Sequence, residues 1–388
     1  MAYLDGPGGS QVPDVVGRAM TDYLSGHNAN LGGVFPTSVS SDALMDDARR
    51  AAADFVGGSP SEITFGPNMS TLNFLLAHAV ARTLEPGDEI VTTALDHDAN
   101  ISPWLQVAED HGLFVRTVPV SDPDLTVDLD ALEASLSPRT RVVAFTLASN
   151  AVGTVTAAKR IAAIAHEAGA LAWADAVHFA PHRRIDVQHL GVDVLLCSPY
   201  KFFGPHMGIA WARRQLLDFW PADRVRPAEE HPPGHRFELG TQSHEAIAGF
   251  VAAVDYLASL GSGLDRRSRL DSAFAAIQTH EQELARRFLI GLGDVPGARL
   301  HGIADPERVG ERTPTFCLTV DGHEPRAVAT HLAERGINVW DGNYYAPELM
   351  THLGLEGRGG GVRIGFLHYT SPDEVDRALT GLRLAAGR

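Results

Sequence analysis

Residues 193–209 read DVLLCSPYKFFGPHMGI, and this stretch decides how the rest of the chain is interpreted. It places one lysine, Lys201, in a tight turn between two apolar runs. The chain holds 32 lysine and arginine residues, but only Lys159 and Lys201 are lysines. Arginine stays protonated and cannot form an imine, whereas a desolvated lysine amine can lose its proton and attack a carbonyl. The pattern leaves two interpretations of Lys201 open, a nucleophilic amine or a surface lysine on a hairpin.

Around this stretch, from Ile63 to about Ala212, seven apolar runs alternate with stretches of helical pattern. The runs are EITFG, DEIVTTAL, LFVRTVPV, TRVVAFTLAS, ALAWADAV, DVLLCS and GIAWA. The pattern predicts helices at 69–84, 101–112, 128–136 and 157–168. Apolar strands that alternate with helices form a sheet covered by helices on both faces. The sequence therefore predicts an α/β fold with a mostly parallel seven-stranded sheet, whose ligands bind beyond the carboxyl ends of the strands.

Several of the predicted strands are followed by residues that can carry chemistry. After EITFG, small and hydroxylated residues at 67–71 open a helix and could bind a phosphate, although a simple N-cap would look the same. The later strands are followed by an imidazole, an amide, a carboxylate and an amine, namely His97, Asn150, Asp175 and Lys201. The carboxylate of Asp175 follows five small or apolar residues, and its burial would be costly without a cationic partner.

A phosphate site, an aromatic ring, a buried carboxylate and an amine together match the needs of pyridoxal 5'-phosphate. Lys201 would hold the aldehyde as a Schiff base, and Asp175 would keep the pyridine nitrogen protonated. A dinucleotide-binding fold would require G-x-G-x-x-G after the first strand, which the sequence lacks. A metal site at His178 and His182 has helical spacing, but Pro181 disfavours a helix there. We therefore predict pyridoxal 5'-phosphate as the cofactor and no metal.

The remaining sequence predicts three parts. Residues 1–40 are rich in Gly, Ser, Pro and Asn and are expected to pack over the active site. A large cofactor-binding domain is predicted at 41–262, beginning with a helix at 41–56, and a smaller C-terminal α+β domain at 263–388. In this last part Arg363 lies inside the strand GVRIGF, where it could pair with an acid or hold a substrate carboxylate.

Composition and charge argue against several kinds of partner. The net charge is −16 and no basic run is present, which argues against nucleic acid and anionic membrane surfaces. No apolar run approaches the ~20 residues of a membrane-spanning helix, and MAYLDGPGGS does not resemble a signal peptide. Cys197 and Cys317 lie in separate apolar runs, so we expect reduced core thiols in a cytoplasmic protein.

In these motifs the chain resembles the class V aminotransferase-fold enzymes, specifically the cysteine desulfurase and selenocysteine lyase-like group. The resemblance extends over nearly the whole chain. The matching motifs are DHDAN at 96–100, Asn150 before x-x-Gly, Asp175, SPYK at 198–201, Gly240-Thr241 and the strand residue Arg363. The resemblance implies the fold type I of pyridoxal-phosphate-dependent transferases, a small amino acid as substrate, and a homodimer with its sites at the subunit interface.

The resemblance also implies roles for individual residues. The expected catalytic residues are Lys201, Asp175, His97 and Tyr200. The expected cofactor-binding residues are Asn68, Met69, Ser70, His97, Asn150, Asp175, His178, Ser198, Lys201 and Thr241. The expected substrate-binding residues are Arg363, Asn28 and Tyr345. Among these, His97 would stack on the cofactor ring, Thr241 would reach the phosphate bound by the other subunit, and Arg363 would hold the substrate carboxylate.

Three departures from the family pattern bear on function. His178 replaces a glutamine near the ring hydroxyl, and Tyr200 replaces the histidine before the lysine. The mobile loop that carries the desulfurase cysteine reads DGNYYAP at 341–347, with Tyr345 about where the cysteine would be. Without a thiolate there, sulfur transfer to the protein is not expected. We therefore expect a β-lyase acting on a cysteine-like amino acid; an aminotransferase or epimerase, and a non-catalytic regulatory protein that binds the cofactor, are the alternatives.

Overall fold

The computed structural model describes residues 1–228 and 230–387 of the chain. The strands are β1 Ala2–Tyr3, β2 Ile63–Gly66, β3 Glu89–Thr93, β4 Phe114–Val118, β5 Val120–Ser121, β6 Thr126–Val127, β7 Thr140–Thr146, β8 Leu171–Asp175, β9 Val194–Cys197, β10 Gly208–Ala212, β11 Ala298–His301, β12 Thr315–Val320, β13 Ile337–Asn338, β14 Trp340–Gly342 and β15 Gly361–Gly365. The helices are α1 Asp14–Gly26, α2 Pro36–Val56, α3 Met69–Ala81, α4 Ser102–His111, α5 Leu129–Ser135, α6 Ala158–Glu167, α7 Val187–Leu190, α8 Arg214–Phe219, α9 His244–Ser259, α10 Arg266–Leu292, α11 Pro325–Ala333, α12 Pro347–His352 and α13 Pro372–Ala386.

The central sheet confirms the seven predicted strands. Its order is β2-β10-β9-β8-β7-β3-β4, and only β10 runs antiparallel to its two neighbours. The four predicted helices between these strands appear as α3, α4, α5 and α6, each within three residues of the predicted ends. Since β3, β7, β8 and β9 are parallel, their carboxyl ends lie at one edge of the sheet.

The N-terminal region differs from the prediction in two ways. The helix predicted at 41–56 begins earlier, at Pro36. Proline suits the first turn of a helix, because the N–H that it lacks would have no hydrogen-bond partner within the helix there. Helix α1 was not predicted, because the composition of residues 1–40 indicated loop. It forms because Val16 and Tyr23 are buried on one face, which packs against α9.

A second, antiparallel sheet with the order β11-β12-β15-β14 lies in the C-terminal part. The N-terminal strand β1 pairs with β13 of that part, and Ala2 and Leu4 belong to its hydrophobic core. Helix α10 contributes Leu270 to the core of the large sheet and Leu289 to the core of the C-terminal part. The helix therefore joins the two cores, and the exact domain boundaries stay a prediction.

Within the described residues, no helix is both long enough and apolar enough to cross a membrane.

Candidate active site

A cavity of about 640 Å³ lies where the carboxyl ends of the central strands meet the N-terminal segment and the C-terminal part. It brings together most of the predicted site residues: Asn68, Met69, Ser70, His97, Asn150, Asp175, His178, Ser198, Tyr200, Lys201, Tyr345 and Arg363. Asn28 and Thr241 do not line it, and both lie exposed in loops. Twelve of the predicted residues therefore line one cavity, and their assignment to a site and the roles predicted for them stay predictions.

The turn that carries Lys201 is fixed by the N-terminal segment. Residues Pro199–Lys201 form a single 3₁₀ turn between β9 and β10. The Ser10 hydroxyl donates to the carbonyl of Tyr200 at 3.0 Å and accepts from the backbone N–H of Phe203 at 2.6 Å. Phe203, just after this turn, has a left-handed backbone conformation with φ 72°, although it is not a glycine. These contacts hold the backbone of the turn, so the lysine leaves it in one defined direction.

The side chain of Lys201 is half-buried in the cavity lining, and its amine donates a hydrogen bond to the carbonyl of Pro7. Burial, helped by the positive charge of Arg363, lowers the pKa of Lys201 to about 7. The carboxylates of Asp5 and Asp175 act in the opposite direction without outweighing the burial. The neutral amine, which is the nucleophilic form, is therefore well populated near neutral pH.

Asp175 lies at the end of β8, where it is 4 % exposed. Its carboxylate accepts a hydrogen bond from the N–H of Val177 at 2.8 Å. Among the described residues, none forms a salt bridge with Asp175, and burial raises its pKa to about 6. A buried carboxylate in this state favours a positively charged partner, and a protonated pyridine nitrogen would supply one.

His97 forms an aromatic side of the cavity. Its Nδ1 accepts from the N–H of Ala99 at 2.9 Å, so the proton of the neutral ring lies on Nε2. Burial lowers the pKa of His97 to about 4, with the charge of Lys201 as the next cause. The ring stacks on Tyr345 with a centroid distance of 5.4 Å and an interplanar angle of 24°. This neutral ring is suited to contact a flat heterocycle.

The start of α3 forms the predicted phosphate side of the cavity. The side chain of Asn68 caps the helix by accepting from the N–H of Thr71 at 2.8 Å. The N–H of Met69 donates to the hydroxyl of Ser198 at 3.1 Å, which ties the helix to the lysine turn. Gly208 of β10 permits this approach, because a Cβ there would lie 2.4 Å from the carbonyl carbon of Asn68. The helix terminus at the rim is a suitable place for an anion.

Arg363 lies in the middle of β15 and is buried, with 5 % exposure. Its Nη2 donates to the carboxylate of Asp5 at 3.0 Å, and its Nη1 donates to the carbonyl of Asn150 at 3.2 Å. Its guanidinium lies 4.6 Å from the ring centroid of Tyr344. The remaining donor, Nε, is buried and has no hydrogen-bond partner among the described residues. Arg363 is therefore an internally paired residue that keeps one edge for a further acceptor.

The loop predicted to be mobile is tied down on both sides. The carbonyl of Tyr344 accepts from the side-chain amide of Asn150 at 2.8 Å, and the carbonyl of Tyr345 accepts from the N–H of Asp98 at 2.7 Å. Both tyrosines have a left-handed backbone, with φ 57° and 56°. Holding two adjacent non-glycine residues there costs energy, which the surrounding contacts must offset. Tyr345 remains 71 % exposed at the cavity.

Both cysteines are free, fully buried and absent from the cavity lining. Burial raises the pKa of Cys317 to about 12 and raises that of Cys197 further above its usual range. A thiol is nucleophilic only as the thiolate, so neither side chain is suited to accept sulfur in this arrangement. The part of the chain that the structure describes also contains no group of three His, Cys, Asp or Glu residues placed to hold a metal.

The cavity fits pyridoxal 5'-phosphate by its own chemistry. Its volume is in the range of cofactor sites. It holds a buried carboxylate without a salt bridge, an amine of lowered pKa and a helix N-terminus. Two buried polar atoms, Asn150 Oδ1 and Arg363 Nε, also lack hydrogen-bond partners among the described residues. Buried polar atoms without partners are unusual and indicate that a bound molecule completes the site.

Comparison with known proteins decides the family. The family described as aminotransferase class-V matches residues 2–378.

The chain belongs to the class-V aminotransferase family.

Several relatives are similar to this chain over almost its full length. An aminotransferase-like protein of Gibberella zeae, FGM3, is 32% identical over 98% of this chain and 93% of its own length. A cysteine desulfurase of Dickeya dadantii is 31% identical over 98% of this chain and 91% of its own length. The apo structure of a cysteine desulfurase from Thermococcus onnurineus has a TM-score of 0.89 at 27% identity, covering 100% of this chain and 95% of that one. The protein is therefore a pyridoxal-phosphate-dependent enzyme of class-V aminotransferase type with cysteine desulfurase relatives.

Several residues that line the cavity were not predicted from the sequence. Asp5 and Pro7, which contact Arg363 and Lys201, were recognised only as part of an N-terminal segment expected over the site. Tyr344 was passed over in favour of Tyr345. No sequence signal joins Asp5 to Arg363, because 358 positions separate them. The one indication in the sequence was that Asp5 is a charged residue within a glycine- and proline-rich segment.

Proposed function

We propose that the protein is a β-lyase that removes a sulfur-containing leaving group from a small, cysteine-like amino acid. The observation that carries this proposal is a cavity with an amine of lowered pKa, Lys201, and no cysteine in its lining. Sulfur transfer onto the protein needs a thiolate near the substrate, whereas elimination does not. The loop at 341–347 also supports elimination, because it brings Tyr345 and no cysteine to the cavity.

The proposed work of the site divides among a few residues. Lys201 would attach the cofactor aldehyde, Asp175 would face the pyridine nitrogen, and the start of α3 would face the phosphate. When bound, pyridoxal phosphate withdraws electrons from the α-carbon of an amino acid. Arg363 would orient the substrate carboxylate through its free edge. The neutral amine of Lys201 would remove the α-proton, since its pKa of about 7 suits a general base.

Tyr200 is suited to protonate the leaving group. Burial raises its pKa, so its hydroxyl keeps its proton near neutral pH. The Lys201 amine lies 4.8 Å from the centroid of the Tyr200 ring, so the two side chains are neighbours in the cavity lining. With cysteine as substrate the carbon–sulfur bond breaks, the sulfur leaves as hydrogen sulfide, and one water is consumed as pyruvate and ammonia form.

We also propose a homodimer. Several apolar side chains are exposed near one another in sequence, including Val34 at 100 % and Phe35 at 52 % exposure. Leu239, next to Gly240-Thr241, is 56 % exposed. If these side chains form one contiguous apolar patch, that patch would suit a subunit interface. A sedimentation mass of twice the 41.6 kDa chain mass would support the dimer, and a monomer mass would refute it. The cytoplasmic location, a separate expectation, stays a prediction.

The test of the β-lyase is turnover without a keto-acid acceptor. The purified holoenzyme is given single amino acids, among them L-cysteine and L-alanine, and pyruvate, ammonia and sulfide are measured. Repeated turnover of L-cysteine to all three products supports the proposal. Turnover that needs an added keto acid would establish an aminotransferase. Exchange of the α-proton of L-alanine in heavy water with inversion, and no elimination from L-cysteine, would establish an epimerase and contradict the β-lyase.

A further inference from the structure

A second, much smaller cavity lies behind the active site. It has a volume of about 10 Å³ and is lined in part by His182, Glu281 and Thr313. These three residues are 2 %, 3 % and 1 % exposed. A cavity of this size holds about one water molecule if two to four polar groups surround it. On its outer side, the partly buried Gln278 and Gln282 of α10 line the same space.

His178 connects this small cavity to the active site. It lines the active-site cavity and is 4 % exposed. Its Nε2 lies 3.2 Å from the hydroxyl of Thr313, and that hydroxyl lies 3.2 Å from the carbonyl of Gly153. If the hydroxyl donates to Gly153, it accepts from His178, and the Nδ1 lone pair of His178 is then free to act as an acceptor. In this arrangement the Thr313 hydroxyl accepts one hydrogen bond, from His178, and donates one, to Gly153.

His182 and Glu281 form a buried pair beside Thr313. His182 Nδ1 lies 2.8 Å from Glu281 Oε2, and the His182 ring meets the His178 ring edge-on at 5.1 Å between centroids. The other polar atom of each partner, His182 Nε2 and Glu281 Oε1, is buried with no hydrogen-bond partner among the described residues. Both residues line the small cavity, where one water could satisfy them and contact Thr313 as well.

We propose that His178, Thr313, His182 and Glu281 form a buried proton relay that runs from the active-site cavity to the Glu281 carboxylate of α10. His178 Nδ1 accepts a proton from a group in the active site, and its Nε2 proton passes to the Thr313 hydroxyl. The hydroxyl turns from the Gly153 carbonyl towards one water in the small cavity and passes its proton to that water, and the water passes a proton to Glu281 Oε1. One proton has then moved from the active site to Glu281. His182 orients the carboxylate and is a positioning residue.

The electrostatics agree with this direction of transfer. Burial, and then the charge of His182, lower the pKa of His178 well below its usual range, so the ring is neutral and can accept. Burial raises the pKa of Glu281, which favours uptake of a proton by that carboxylate. The other ionisable groups that face the relay are Lys201 and Arg363 near His178, His368 near His182, Arg183 and His280 near Glu281, and the buried Arg312, which lines the small cavity.

The experiment compares Thr313→Val and Glu281→Gln with a matched control, Thr92→Val. Thr92 is also a fully buried threonine, but its hydroxyl contacts Thr117 at 3.1 Å, away from the cavity lining. The assay rests on the proposed β-lyase and follows pyruvate from L-cysteine with the holoenzyme. We expect kcat to fall about tenfold in both relay variants, below the 10²–10⁴-fold of a directly acting acid or base. The KM and the absorbance of the bound cofactor should not change, and added imidazole should restore much of kcat.

If kcat fell equally in Thr92→Val and in the two relay variants, the effect would be structural and the relay would be overturned. The same conclusion would follow if the relay variants lost the cofactor. Failure of Glu281→Gln to fold leaves the decision to Thr313→Val. If the wild-type protein does not turn over L-cysteine, the β-lyase proposal fails while the relay is still tested by NMR of ¹⁵N-labelled histidine. The relay then predicts that Glu281→Gln shifts the ring nitrogen signals of His178, and unchanged signals would overturn it.

Discussion

The active-site cavity has two walls that are built in different ways. The strand-end wall consists of His97, Asn150, Asp175 and Lys201, each at the end of a strand of the central sheet or shortly after it. The loop wall consists of Asp5, Pro7, Tyr344 and Tyr345, from the N-terminal segment and the loop after β14. The strand-end wall holds the amine and the carboxylate that the chemistry needs. The loop wall closes the cavity and contacts Lys201 and Arg363. Under the proposed function, the first wall would set the reaction and the second would set which substrates react.

The largest expected effect comes from the strand-end wall. Lys201→Ala removes the attachment point of the cofactor and the proposed base, so we expect kcat to fall by about 10³-fold or more. The matched control is Lys159→Ala, because Lys159 is the other lysine and lies exposed on α6. Steady-state rates of keto-acid release would show full activity for the control. Equal activity in both variants would contradict the assignment of Lys201.

Asp175→Asn is the next test of the strand-end wall. It keeps the size of the side chain and an acceptor for the N–H of Val177, but removes the negative charge that would stabilise a protonated pyridine nitrogen. We expect kcat to fall by about 10²-fold, comparable to the loss of one strong electrostatic contact. The absorbance of the bound cofactor should show that occupancy is retained. A variant with cofactor bound and normal kcat would rule out this role of Asp175.

The lowered pKa of Lys201 predicts a pH dependence. Below pH 7 the amine is protonated and cannot attack, so the rate of cofactor incorporation into the apoprotein should fall about tenfold per pH unit there. Above about 7 the rate should level off. Absorbance measured after mixing would give this profile, with pyridoxal used alongside to separate titration of the phosphate. A rate that rises up to the ordinary lysine value of 10.5 would disprove the shift.

The smallest expected effect lies in the loop wall. Asp5→Ala removes the acceptor of Arg363 Nη2, while the contact of Nη1 with the Asn150 carbonyl remains. We expect the KM for the amino acid to rise about fivefold, equivalent to ~1 kcal/mol, with kcat unchanged. Asp5→Asn retains an acceptor and should restore the KM to near the wild-type value. If Asp5→Asn raised the KM as much as Asp5→Ala, the charge of Asp5 rather than the position of Arg363 would matter.

The same two walls show what could be predicted from the sequence. The strand-end wall follows from local patterns, because a residue just after a buried parallel strand reaches the ligand-binding edge of the sheet wherever the rest of the chain lies. Lys201 and Asp175 were found in this way. The loop wall depends on contacts such as Asp5 with Arg363, which form between residues far apart in the chain. The left-handed backbone of Tyr344 and Tyr345 likewise has no signal in the sequence, because glycine or asparagine would be expected there.

The central claim is that this site eliminates a sulfur leaving group without a protein thiol. The most direct measurement uses a double variant, Cys197→Ser with Cys317→Ser, and L-cysteine as substrate. We expect the folded variant to release pyruvate and sulfide at a rate close to that of the wild type, because neither thiol reaches the cavity lining. Mass spectrometry of the wild type during turnover should find no sulfur added to the protein. Loss of turnover in the folded variant, together with a persulfide on a wild-type cysteine, would contradict the account.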